Sequence, residues 1–204
     1  IESKDLRGKI VFPGLINTHT HIYQNLLKGL GNDCDLENWW MKVIGPAGVN
    51  LEEKHVIAAA AGFAIEAIRS GTTTVVDYMQ VNPIPWLSDA EIQTLNTIGL
   101  RLVYSRGYRN TGADVGFPVE LIEFTDDVFM DVLRLKKKYE TDESKMIKIW
   151  LAPAGAWALT LQGLEETSEF ALSQDIPITM HMYETPTDEA ICQNLWSDGI
   201  NYAL

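Results

Sequence analysis

The chain has 204 residues, 46% of them apolar, enough to bury one sizeable core and unlike the composition of a disordered or fibrous protein. Sixteen basic against 28 acidic residues leave a net charge of -12, which disfavours nucleic acid and anionic membrane surfaces and points to small-molecule partners. The most apolar stretch, Val56 to Ile68, is broken by Glu66 and too short to span a bilayer, and the start lacks the layout of a signal peptide.

Cys34 and Cys192 are the two cysteines, far apart and outside any C-x-x-C pair. They read as small buried or half-buried hydrophobes and suit a reducing cytoplasm.

Ile1 to Lys9 reads as a connector feeding a strand already oriented by something upstream, so a small β domain is expected before it. From Ile10 onward, short β-rich runs alternate with longer helical patterns. The predicted strands are Ile10 to Asn17, Thr72 to Tyr78, Arg101 to Gly107, Ile147 to Ala152 and Ile178 to Glu184, mostly the near-continuous apolar runs that parallel strands require.

Helix starts are expected at Asn50, three before Glu53, at Ser88, three before Glu91, and at Thr185-Pro186. The helix from about Leu51 to Arg69 carries Val56, Ala60, Phe63, Ala64, Ala67 and Ile68 at helical spacing, and Gly71 ends it. Without internal repeats or a flexible linker, residues 1–204 read as a single α/β domain of five βα units. Such units are stable either in an open doubly wound sheet or in a closed eight-fold barrel, and no Gly-rich phosphate loop follows the first strand to support the former.

Thr18-His19-Thr20-His21 lies where the first strand ends, and residues two apart on a strand point to the same side. Both imidazoles can then converge on one ion, although an H-x-H taken alone is equally a strand cap beside a solvated histidine. His181, near the end of the fifth strand with Glu184 three residues on, supplies a third partner. In parallel βα barrels active residues gather at the C-terminal ends of strands, where all four of these residues fall. His55, beside Glu52, Glu53 and Lys54, reads as part of a solvated helix face. Asp77 closes the second strand and reads first as turn chemistry, second as support behind a site.

The runs Pro13-Gly14-Leu15-Ile16-Asn17-Thr18-His19-Thr20-His21 and Ser70-Gly71-Thr72-Thr73-Thr74, together with His181 and Glu184, resemble the amidohydrolase superfamily across essentially the whole chain. The H-x-x-E spacing is most similar to the branch holding atrazine chlorohydrolase, guanine deaminase and the S-adenosylhomocysteine or methylthioadenosine deaminases. The resemblance implies an incomplete TIM-type (β/α)8 barrel, about its first five βα units, with strands 6 to 8 missing downstream. It implies one divalent metal, zinc or iron, on His19, His21 and His181.

An Asp from a last strand and a His from a sixth strand are also implied, and no residue of this sequence fills either place. An ion so held lowers the pKa of bound water, and Glu184 would shuttle the proton to a ring nitrogen. The implied reaction removes an amino group or halide from a purine, pyrimidine or triazine-like ring. Trp39, Arg106 and Gln24 match positions near substrate, Trp39 as a stacking surface and Arg106 as a contact for a polar or carboxylate substituent. Ala154 stands where adenosine-type deaminases carry a His, which argues against nucleosides. Lys148 sits at the wrong end of the fourth strand to bridge two metals.

The competing expectation is a non-catalytic metal-binding module. Five strands leave open edges, so a homo-oligomer or strand-exchanged assembly is expected.

Overall fold

The computed structural model describes residues 3–141 and 145–196. Four parallel strands, β1 (Leu15–Thr20), β2 (Thr72–Met79), β3 (Arg101–Tyr108) and β4 (Ile147–Pro153), lie in sequence order in one sheet. Between and after them run α1 (Leu36–Trp39), α2 (Gly45–Val49), α3 (Glu53–Arg69), α4 (Leu87–Ile98), α5 (Thr125–Tyr139), α6 (Leu161–Gln174) and α7 (Asp188–Trp196).

Register assigns the two faces of the sheet. Asp77, Tyr104 and Ile149 lie side by side, as do Met79, Arg106 and Leu151. This face packs against the helices: Val75, Leu102, Ile149 and Leu151 share one apolar core with Val56, Ala60 and Ala64 of α3, Ile92 and Leu95 of α4, and Val128 and Val132 of α5. The opposite parity, with Val76, Tyr78, Val103, Ser105 and Trp150, forms the inner face. Gly107 belongs to it, and a Cβ there would stand 2.5 Å from the Met79 carbonyl oxygen.

Several sequence expectations shift. The first strand begins at Leu15 rather than Ile10, because its register starts at Leu15 beside Thr72, and Ile10, Val11 and Phe12 are exposed. In place of a fifth strand over Ile178–Glu184 there is a single parallel bridge, Ile178 to Leu151. The hydrogen bonds from Leu151 to Pro177 and from Thr179 to Leu151 complete that pairing, after which the chain leaves the ladder.

Helix α3 starts at Glu53 behind Glu52, whose N–H donates to His55 Nδ1 at 3.1 Å, so His55 closes the helix start. Asn50 instead donates its side-chain amide to the Pro46 carbonyl and finishes α2. Ser88 lies inside the first turn of α4, receiving the Tyr104 hydroxyl at 2.9 Å, and Glu91 is wholly buried; neither caps the helix. After Thr185-Pro186, Asp188 accepts the Thr185 hydroxyl at 2.5 Å and the Glu184 N–H at 2.7 Å. The Gly71 stop stands as expected, at φ +87°. Cys34 is half-buried and Cys192 buried, both free. Among the described residues, no helix is long and apolar enough to cross a membrane.

The outer layer is locked by charge. Arg106, 3% exposed, donates to Glu123 at 2.5 Å and to Asp131 of α5 at 2.8 Å. Asp131 also binds Arg134, which reaches Asp89 of α4. Removing one member of a buried ion pair strands its partners, at a cost of about 3–5 kcal/mol. Arg106→Met is therefore expected to lower the unfolding free energy by about that amount, measured by urea denaturation.

Candidate metal centre

Strand β1 ends in Thr20, and the alternation of the strand delivers His19 and His21 to the inner face. His181, three residues past the Ile178 bridge, reaches the same point. One ligand nitrogen from each of the three lies within 4.8 Å of the others, and His19 Nε2 stands 3.3 Å from His181 Nε2.

Backbone carbonyls orient two of these rings. His21 Nδ1 lies 2.7 Å from the Tyr78 carbonyl oxygen and His181 Nδ1 2.7 Å from that of Ala154. A carbonyl only accepts, so both Nδ1 atoms carry the proton and both Nε2 atoms present lone pairs, that of His181 toward His19 Nε2. This is how outer partners fix the tautomer of a ligating histidine. Burial lowers the pKa of all three: that of His21 falls to about 3, and those of His19 and His181 fall as well, with His181 adding to the effect on His19. Each imidazole is then neutral near pH 7, the form that offers a lone pair to a cation.

Tyr78 escaped the sequence reading. Its ring centroid lies 4.4 to 5.6 Å from the three imidazole centroids, and its hydroxyl donates to the Pro153 carbonyl. Counting two residues along β2 from Val76 would have pointed it inward; the carbonyls of Tyr78 and Ala154 carry no side-chain signal at all.

Asp77, pointing the other way from Tyr78, is fully buried and accepts the Ile22 N–H at 2.9 Å, holding the turn that follows His21. It does more than close its own strand. Burial raises its pKa to about 7, and burial, with a further contribution from Asp77, also raises that of Glu91.

Glu184 is exposed on the rim, yet close enough that His19 and Tyr78 feel its charge. Partial desolvation and nearby Asp188 raise its pKa, while His19 lowers it. Gln24 is half-buried in the turn after His21 and donates to the Tyr23 hydroxyl at 3.2 Å. Arg106 does not reach the inner face, since it shares the helix-facing parity of Leu102 and Tyr104. Trp39 packs edge-to-face on Trp40 and against Gly31, while Trp40 lines a cavity among the loops past the strand ends. Lys148 is exposed at the start of β4, away from the histidines.

With three inward imidazoles at the C-terminal rim of a parallel βα sheet, comparison with known proteins becomes informative. The amidohydrolase family profile matches residues 10–203. The chain belongs to the amidohydrolase family.

This amidohydrolase chain is 30% identical over 184 residues to a 5-methylthioadenosine/S-adenosylhomocysteine deaminase of Bacillus cytotoxicus, covering 90% of itself and 40% of that protein. Among solved structures it is similar to a variant of atrazine chlorohydrolase from Arthrobacter aurescens TC1 complexed with zinc and atraton. That match has a TM-score of 0.80 at 24% identity, over 90% of this chain and 43% of the other. Guanine deaminase from C. acetobutylicum with bound guanine gives a TM-score of 0.79 at 20% identity, over 94% of this chain and 44% of the other. At that identity the structures speak for the fold: the α/β architecture is that of part of a TIM-type barrel. The chain spans about 40% of the length of the curated relative it matches.

Because Asp77 holds its proton to about pH 7 when folded and loses it near its ordinary 3.8 when unfolded, the native state binds more protons between those values. Stability on this account falls as pH rises through that window. Asp77→Asn, which keeps an acceptor for Ile22, is expected to flatten the decline; urea unfolding of both proteins at about pH 4 and about pH 8 measures it.

Proposed function

We propose that this chain carries the cation-holding part of a hydrolase that displaces an amino group, or a halide, from a nitrogen heterocycle of purine, pyrimidine or triazine type. His19, His21 and His181 would hold one divalent ion, zinc in the first instance, and Glu184 would move the proton. The observation that carries the reading is the convergence of three imidazoles, two of them presenting Nε2 lone pairs because their Nδ1 atoms donate to backbone carbonyls.

The chemistry of the donor set, three imidazole nitrogens within 4.8 Å of one another, suits zinc, and one pair already has the spacing a bound ion would need. Two nitrogens each about 2.05 Å from a tetrahedral ion stand about 3.3 Å apart, the separation of His19 and His181 Nε2. An ion there supplies Lewis acidity and a lowered water pKa.

The chain's own residues do the rest. The Tyr78 and Ala154 carbonyls hold His21 and His181 in one tautomer, and Asp77 fixes the turn behind His21. Glu184, its pKa raised toward the working range of a general acid–base, faces His19 from the rim and can take a proton from water and hand it to a ring nitrogen. The relatives' names, a deaminase of an adenine-bearing compound and a triazine chlorohydrolase, support a heterocyclic substrate. Gln24 and Trp39 remain candidates at the edge of the substrate space.

The outer flank of β1 supports association with a second copy or with further strands: Leu15 and Ile16 are 61% and 64% exposed. The two free cysteines support a reducing, cytoplasmic setting.

His181→Ala is expected to lose most bound metal, while Glu184→Gln keeps the ion and loses turnover by about 100-fold or more. Elemental analysis and ammonia release from a panel of purines, pyrimidines and triazines check both. Metal retained at wild-type level in His181→Ala would overturn the ligand assignment.

A further inference from the structure

Among the loops that follow the strand ends lies a cavity of about 370 Å³, within the range of small-molecule sites. Its walls are largely apolar, with Trp40, Phe117 and Trp157 among them, and it continues to Thr185 and Asp188 just past Glu184. Trp157 stands three residues after Ala154, whose carbonyl holds His181. The cavity is thus lined by residues close in sequence to those that hold His181 and to Glu184, and by none of the three histidines.

Arg109 lines it and is 7% exposed. Its guanidinium carbon lies 3.8 Å from the Phe117 ring centroid, 5.3 Å from that of Trp157 and 5.7 Å from that of Trp40. Its Nε has no hydrogen-bond partner, and no carboxylate pairs with it among the described residues.

The acidic groups around the cavity do not neutralise it. Asp188 is taken by the Thr185 hydroxyl and the Glu184 N–H, Glu37 accepts the Thr187 hydroxyl, and Asp114 makes no ion pair with it. Ring faces offset part of the cost of burying a cation, but an unpaired guanidinium still lacks the partner its geometry is built for. Burial accordingly draws its pKa down to about 10, leaving it charged at neutral pH.

We infer that this cavity binds a planar ring bearing a carboxylate, with the ring between the aromatic walls and the carboxylate on Arg109. A flat monoanion fits one guanidinium and flat walls. A phosphate, carrying more charge, would meet repulsion from Glu37, Asp114 and Asp188. If the proposed metal centre acts on the same ligand, the inference makes the non-reacting end of its substrate anionic; the binding test is independent of that centre.

Benzoate, benzamide and phenyl phosphate are titrated by calorimetry against the full chain after removal of metal by a chelator, so that coordination to an ion contributes nothing. Benzoate is expected to bind about 10-fold or more tighter than benzamide, the scale of one charged hydrogen-bonded contact. Arg109→Met is expected to bring the two level. Equal binding of benzoate and benzamide by the wild type, a preference that survives in Arg109→Met, or tighter binding of phenyl phosphate overturns the inference. Should Arg109→Met not fold, the wild-type comparison decides alone. Failure to bind zinc would count against the metal centre and leave this result standing.

Discussion

Two hydrogen bonds from imidazole nitrogens to main-chain oxygens, His21 to Tyr78 and His181 to Ala154, are the contacts on which the site depends. Both acceptors sit at strand ends, so the register of the parallel sheet, rather than the packing of side chains alone, sets where the rings stand. Asp77 adds a third anchor from the back of the same strand by gripping the Ile22 N–H. Residues 77 and 78 therefore hold one turn from opposite faces of β2, one through its side chain and one through its backbone. A site built this way inherits the stiffness of the ladder.

Arg106 and Arg109 show how three positions at the end of one strand change the role of a charge. Arg106 points into the layer between sheet and helices, where Glu123 and Asp131 neutralise it and tie β3 to α5. Arg109, just past the strand, lies over three ring faces and pairs with no carboxylate among the described residues. Paired charge serves cohesion in the outer layer, whereas unpaired charge on the rim is free to meet a ligand.

Much of this was legible beforehand, and the rest was hidden for identifiable reasons. The period-two spacing of His19 and His21, the position of His181 and the alternation of βα units survive translation into coordinates because they depend only on strand geometry. Arg106, carried over from the family resemblance as a substrate contact, turns instead to the helices, because its register with Met79 and Leu151 places it there beside Glu123 and Asp131. Trp39 was carried over from the family resemblance alone, and Trp40, its neighbour at the start of the π-helical turn Trp40–Ile44, lines the cavity without having been named. The fifth strand read as apolar and β-branched at its start, yet only Ile178 finds a ladder partner. Helix starts at Asn50 and Ser88 failed because those polar side chains had tertiary or preceding-helix partners that outcompeted a local cap.

Gly107 has a consequence for how this scaffold can diversify. Any side chain there would drive into the backbone of the neighbouring strand at Met79 and Gln80, so the position is sterically shut to mutation. Natural variation or directed evolution seeking a new ligand preference would find no foothold on the floor beside β3. Change would have to accumulate in the loops beyond the strand ends, where the backbone has room to move.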